Sequence, residues 1–136
     1  MKEMLLALKS ASKTTLTVRV DNANGFALVR SDDKKLKDYS KRQYFRQVRD
    51  GNSVGQQVVM GKSHKKPVLC YSVPINNDDS FVGALSQCST LDDISQKVTN
   101  LKIGKTGFAF LVDTDNQLIA TGDPKYPKIT ELLTRQ

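Results

Sequence analysis

An arginine and three aromatics crowd into one short stretch of the chain, Tyr39-Ser40-Lys41-Arg42-Gln43-Tyr44-Phe45. Each type has a distinct use. The planar guanidinium of Arg42 can grip a carboxylate through two parallel charge-assisted bonds, each contributing about 1.5–3 kcal/mol. Tyr39 and Tyr44 combine an apolar ring with a hydroxyl at its tip, and Phe45 supplies apolar wall alone. Two or three such bonds with added apolar contact reach about 8 kcal/mol, which is micromolar binding of a small acid. The plainer alternative is a basic helix that packs its aromatics into the core.

Other groupings that could do chemistry fall short. Gly61-Lys62-Ser63 resembles the end of a phosphate-binding loop, but five residues rather than four separate Gly55 from Gly61. The following His64-Lys65-Lys66-Pro67 cannot open the helix whose N-terminus would hold phosphate. Asp113 and Asp115 start like a calcium loop, yet its glycine is missing and Pro124 stands at position twelve in place of a glutamate. They read as turn residues. His64 is the only histidine, flanked by polar residues and without partners for a triad or a zinc site; it reads as a surface loop residue. Nothing here argues for catalysis, a metal or a cofactor.

The elements that would position the arginine-aromatic stretch can be read from periodicity. Residues 2–12 put Met4, Leu5 and Leu8 on one helical face, like the tail of a longer helix. Strands over 15–20 and 26–31 flank the Asn24-Gly25 pair, a hairpin signal in which both residues tolerate positive φ. Over 38–51, Ser40 as N-cap with Gln43 forms a capping box and Gly51 supplies a left-handed stop, so a short helix carries Arg42. Strands follow at 56–61, 67–75 and 81–89, with Pro74 at the end of its strand because it lacks a ladder donor. A second helix over 91–104 aligns Leu91, Ile94, Val98 and Leu101 and ends at Gly104. A last hairpin spans 107–123, and its Val112-Asp113-x-x-Asn116-Gln117 echoes Val20-Asp21-x-x-Asn24-Gly25 at a spacing of 92 residues. The echo suggests that a second unit of the same kind begins there. A hairpin, a helix, three meandering strands and another helix make an α+β fold, an antiparallel sheet with helices on its faces.

Bulk properties fit one domain of 136 residues, 38% hydrophobic and 26% charged. No apolar run approaches the roughly 18 residues of a membrane span. Lys and Arg total 21 against 14 Asp and Glu, a net charge of +7. Such a surplus can attract nucleic acid or anionic surfaces, and salt-sensitive retention of DNA or RNA would reveal it. The basic residues are scattered and the aromatics follow no RNA-binding strand pattern, so no nucleic-acid partner is expected. Two cysteines make no disulfide framework. A hairpin turning near Asn77–Asp79 puts Cys70 opposite residue 86, leaving Cys88 a diagonal step of about 7–8 Å away, so two buried thiols are expected.

Five segments taken in order, DYSKRQYF, VVMGKS, VLCYSVPI, FVGALSQCSTLDDI and IGKTGFAFLVDTDNQLIATGDP, resemble the double Cache sensor family over roughly residues 14–123. The resemblance implies a PAS-like sheet flanked by helices. It implies the end of an N-terminal signalling helix at 1–13, a membrane-distal module at 14–103 and the beginning of a membrane-proximal module at 104–136. It also implies an extracytoplasmic sensor of an inner-membrane chemoreceptor or histidine kinase, homodimeric in the full receptor and touching the membrane only through parts outside this chain.

By the same resemblance, Tyr39, Arg42, Tyr44 and Phe45 match positions that contact ligand. Amino-acid-binding members place an aspartate where this chain has Cys88, so a short organic acid is favoured over an amino acid as the small-molecule partner. The adjacent strand leaves two candidates: Ser72 shares a face with Cys70 and Cys88, while a one-residue slip or a bulge near Pro74 would bring in Tyr71. A module that senses nothing and serves as a dimerising spacer is the alternative, favoured if the protein's own side chains fill the pocket. The sensing reading leans on Arg42 being turned inward.

Overall fold

The computed structural model describes residues 1–62, 65, 67–112, 116 and 118–122, apart from the side chains of Asp93 and Ile119. His64, Asp113, Asp115 and Gln117, and with them the calcium-loop and turn readings, lie outside the described residues. Two units divide the chain, one of Met1–Gln57 with Leu69–Ser89 and the other of Val58–Val68 with Thr90–Gln136.

The chain opens with α1 (Lys2–Ser10), β1 (Thr15–Asn22) and β2 (Ala27–Arg30), continues through α2 (Gln43–Arg49), and then forms β3 (Gly55–Met60), β4 (Pro67–Asn77) and β5 (Ser80–Thr90). The five strands make one sheet in the order β2-β1-β5-β4-β3. With helices beside it, this is the α+β architecture expected from the periodicities. In the first unit α1 packs against β1 and β2. Leu5 is its one buried residue, whereas Met4 and Leu8 of the expected stripe are exposed. β1 is a central strand: it pairs antiparallel with β2 on one side and β5 on the other.

The β1–β2 turn forms where the Asn-Gly pair stands, with Gly25 at φ +87°. The Asn22 carboxamide oxygen accepts from the Asn24 and Phe26 amides, closing the turn from within. Downstream chain doubles back on this turn: Phe26 bridges Asp38, and the Tyr39 amide donates to the Gly25 carbonyl. That contact, and a turn closed by the Arg42 amide on the Tyr39 carbonyl, occupy residues 38–42, so that α2 begins at Gln43. The expected capping box is therefore not made. The N-cap is Arg42 and the Ser40 amide turns to Asp38, while the half-buried Gln43 backbone amide donates to the Gln57 side-chain oxygen of β3. Gly51, at φ +111°, does close the helix as expected.

The close approach of α2 to β3 depends on Gly55. A Cβ there would lie 1.9 Å from the Tyr44 carbonyl oxygen. Backbone on backbone cannot yield, so Gly55→Ala is expected to destabilise the unit by about 1–3 kcal/mol. A control substitution, Gly51→Ala, faces open space and carries only the positive-φ cost of about 1 kcal/mol. Chemical denaturation of the two variants tests the order.

β4 runs through Pro74 to Asn77, two residues past its expected end, because proline's fixed φ suits extended backbone. The two-residue turn is Asp78–Asp79, with Asp78 at φ +53°.

In the second unit, α3 (Asp92–Asn100) is followed by β6 (Lys102–Ile103), β7 (Gly107–Phe108), β8 (Phe110–Val112) and β9 (Leu118–Thr121). The helix stops four residues short of the expected end, since Leu101 is extended and leads into β6. Leu101 is exposed instead of completing the stripe. β8 pairs with β9 as the expected last hairpin, and α3 packs on both. No helix among the described residues is long and apolar enough to cross a membrane.

Candidate functional site

Alternation along β1 sends Leu16, Val18 and Val20 to one face and Thr17, Arg19 and Asp21 to the other. Thr17, Arg19 and Asp21 are buried along with Val18, so this strand is covered on both faces and its polar set is enclosed too. Its partners across the ladders are also polar or sulfur-bearing: Arg19 faces Arg30 on β2 and Ser86 on β5, and Thr17 faces Cys88. We call this the inner face.

At its centre lies the Arg19 guanidinium, 1% exposed. Its Nε donates to Asp21 Oδ1 at 2.7 Å and its Nη2 to Asp21 Oδ2 at 3.1 Å, a bidentate grip between residues two apart on one strand face. Nη2 also donates to the Tyr44 hydroxyl at 2.9 Å. The Tyr39 ring stacks on the guanidinium, 3.5 Å from Cζ to ring centroid. Asp21 accepts further from Ser86 at 3.2 Å, and the Ser86 and Ser72 hydroxyls share a hydrogen bond. The pattern recurs one strand away. Arg30 donates to both oxygens of Asp32, at 2.6 and 2.9 Å, and to the Tyr39 hydroxyl at 2.7 Å. Tyr39 thus joins two arginines, one through its ring and one through its oxygen.

Electrostatics follow from burial. Desolvation pushes the Asp21 carboxyl above its ordinary value against the pull of Arg19. It pushes the Tyr44 hydroxyl up as well, again against Arg19, so that hydroxyl keeps its proton at neutral pH. A buried ion pair contributes little or nothing over well-packed apolar side chains of the same volume. Stability alone does not account for a face this polar.

Five of the residues singled out from sequence are drawn to this unit's interior. Tyr39, Tyr44, Phe45, Ser72 and Cys88 are buried. Tyr39 and Tyr44 meet on Arg19, Ser72 reaches the same network through Ser86, and Phe45 packs edge-on against Phe81 at 5.9 Å. Between Ser72 and Tyr71 the structure puts Ser72 on the inner face, whereas Tyr71 is exposed on the other. Arg42 is half-buried at the head of α2, its Nε shielded from solvent. Its charge also acts on the Tyr44 hydroxyl.

The expectation of two buried thiols is overturned: Cys70 and Cys88 form a disulfide, with a Cα–Cα distance of 4.1 Å. The hairpin register lies two residues beyond the expected one, so Cys70 faces Cys88 directly and Ser72 faces Ser86. A shift of two preserves faces, which is why Ser72 stayed correctly placed.

Arg19, Asp21, Arg30 and Ser86 were missed. The available signal was the pair of Arg-x-Asp spacings, Arg19-x-Asp21 and Arg30-x-Asp32, each within or just past a strand.

An antiparallel sheet with helices beside it and a polar inner face defines the class by architecture alone, and comparison with known proteins narrows it. The chain matches the Cache domain model over residues 1–134 and belongs to that family. No curated protein matches it. Among solved structures it is similar to the extracellular domain of the histidine kinase candidate rpHK1S-Z16, at 19% identity, covering 99% of this chain and 60% of that one with a TM-score of 0.73. It is also similar to the sensory domain of the Campylobacter jejuni chemoreceptor Tlp3 with isoleucine bound, at 20% identity, 97% and 51% coverage and a TM-score of 0.72. A third is the V. cholerae histidine kinase DctB sensor domain, at 15% identity, 90% and 47% coverage and a TM-score of 0.69. These likenesses show a shared fold, and the chain spans about half to three-fifths of their lengths.

Proposed function

We propose that this chain is the ligand-binding part of an extracytoplasmic sensor in a transmembrane receptor, taking a small carboxylate and changing the receptor's conformational balance. The observation that carries the proposal is the polar inner face, where Tyr39 and Tyr44 converge on buried Arg19 in a Cache domain. Arg42 is the anion clamp, Tyr39, Tyr44 and Phe45 form the wall, and Ser72 and the Cys88 disulfide form the floor. Tyr71 drops out of the set because it is exposed on the opposite face. Residues 14–103 serve as the membrane-distal module and 104–136 begin the membrane-proximal one.

Isoleucine, valine and asparagine occupy relatives of this fold. Two features favour an acid without an amine here. Cys88 is locked to Cys70 and offers no carboxylate, and Asp21 and Asp32 are each gripped by an arginine. An ammonium without a partner would lose about 2–5 kcal/mol.

A thermal-shift screen of short organic acids, amino acids and amines tests this. At a hundred times its dissociation constant a ligand adds about 2.7 kcal/mol of stability, a rise of several degrees. An acid is expected to give that rise and Arg42→Ala to abolish it. A rise with amino acids alone would overturn the acid preference and keep the sensor. No rise with any compound would favour the second reading, a non-sensing spacer. One observation supports that reading: Arg19, Asp21 and Tyr44 already bond one another where a ligand would sit.

A further inference from the structure

We infer that Arg19 is a positioning residue for the proposed site, the group that seats both Tyr39 and Tyr44 on the sheet and so sets the direction of Arg42 between them. The inference rests on the reading of those three residues as ligand contacts.

A guanidinium has five donors, no acceptor and a rigid plane. Two of the Arg19 donors are spent on the two oxygens of Asp21, which fixes the plane against β1. The fixed plane then does two things. Its face accepts the Tyr39 ring at 3.5 Å, and its edge reaches the Tyr44 oxygen at 2.9 Å. Since Arg19 can only donate, the Tyr44 oxygen must accept, and the hydroxyl proton is left to point elsewhere. Asp21 is itself braced by Ser86 on the neighbouring strand, so the anchor extends over two strands.

Chain geometry makes this consequential for Arg42. Tyr39 lies three residues before it and Tyr44 two after, and both end on the same guanidinium. Hydrogen bonds donated by backbone amides hold the stretch at its ends, from Tyr39 to the Gly25 carbonyl and from Gln43 to the Gln57 side-chain oxygen. Between those points the Arg42 amide closes a turn on the Tyr39 carbonyl, and the side-chain anchors of Tyr39 and Tyr44 seat that turn and the helix head on the sheet. A lysine at position 19 would keep the charge without a plane or a fork, and would stack on one tyrosine or bond the other.

Amide hydrogen exchange on the ligand-free protein tests the inference. In Arg19→Met/Asp21→Leu, which removes both charges together, amides of residues 39–46 are expected to exchange about tenfold faster while those of residues 69–73 keep their protection. Tyr44→Phe deletes a single hydroxyl and is expected to give about a threefold increase confined to residues 43–48. Unchanged exchange over 39–46, or an equal rise over both segments, overturns the positioning role. If the double variant does not fold, Tyr44→Phe decides, and no change there overturns it. No ligand is present, so this outcome is separate from that of the thermal-shift screen.

Discussion

Arg19→Met is expected to destabilise the protein by about 3–5 kcal/mol, because it strands the buried Asp21 carboxylate without its cation. Asp21 is fully buried, and its remaining side-chain partner, the Ser86 hydroxyl, cannot replace a bidentate ion pair. Burial already pushes this carboxyl upward with Arg19 present; without it, the group must take up a proton or leave the interior. The melting point should fall by roughly 10–15 °C. The informative comparison is Arg19→Met/Asp21→Leu, which replaces the pair with apolar volume and is expected to recover most of the loss. Calorimetric scans of the single and double variants read the difference. A single variant no less stable than the double would show that the pair is not isolated from water.

The second large effect concerns the cross-strand disulfide. Cys70 and Cys88 close a loop with a sequence separation of 18, and removing such a link costs about 3 kcal/mol through the freedom returned to the unfolded chain. Cys70→Ser/Cys88→Ser should therefore melt about 10 °C lower, and reductant should bring the wild type down to the same point. Cys88 also lies beside the guanidinium network, with Arg19 Nη1 directed at its sulfur at 4.0 Å. Part of the loss should accordingly appear as weaker seating of Tyr39 and Tyr44. If reductant leaves the wild-type melting point unmoved although free thiols become titratable, the bond contributes nothing to stability.

Much of the fold was legible because its signals are local. The Asn24-Gly25 turn, the strands around it, the helix stop at Gly51 and the terminal hairpin all depend on residues close in sequence. The aromatics of 39–45 could be seen to face inward for the same reason. What failed depended on partners far along the chain. Alternation in β1 is the same whether Arg19 and Asp21 face water or a covering segment, and what decides it is Tyr39 and Tyr44, at least 20 residues after Arg19, packing on that face. The capping box at Ser40 lost to a backbone bond between its neighbour Tyr39 and Gly25, 14 positions before that tyrosine. The cysteine pairing turned on a register offset of two residues, which leaves every face unchanged and so leaves no trace in the apolar pattern.

The sensing account comes down to whether a small anion meets an arginine at the head of α2. The most direct measurement is the arginine Nε–Hε correlation spectrum, followed while the acid with the largest thermal shift is titrated in. The account predicts a saturable displacement of the Arg42 signal, with Arg19 remaining at the position set by Asp21. An Arg42 signal that stays in place through the titration, for every acid and amino acid tried, would contradict it.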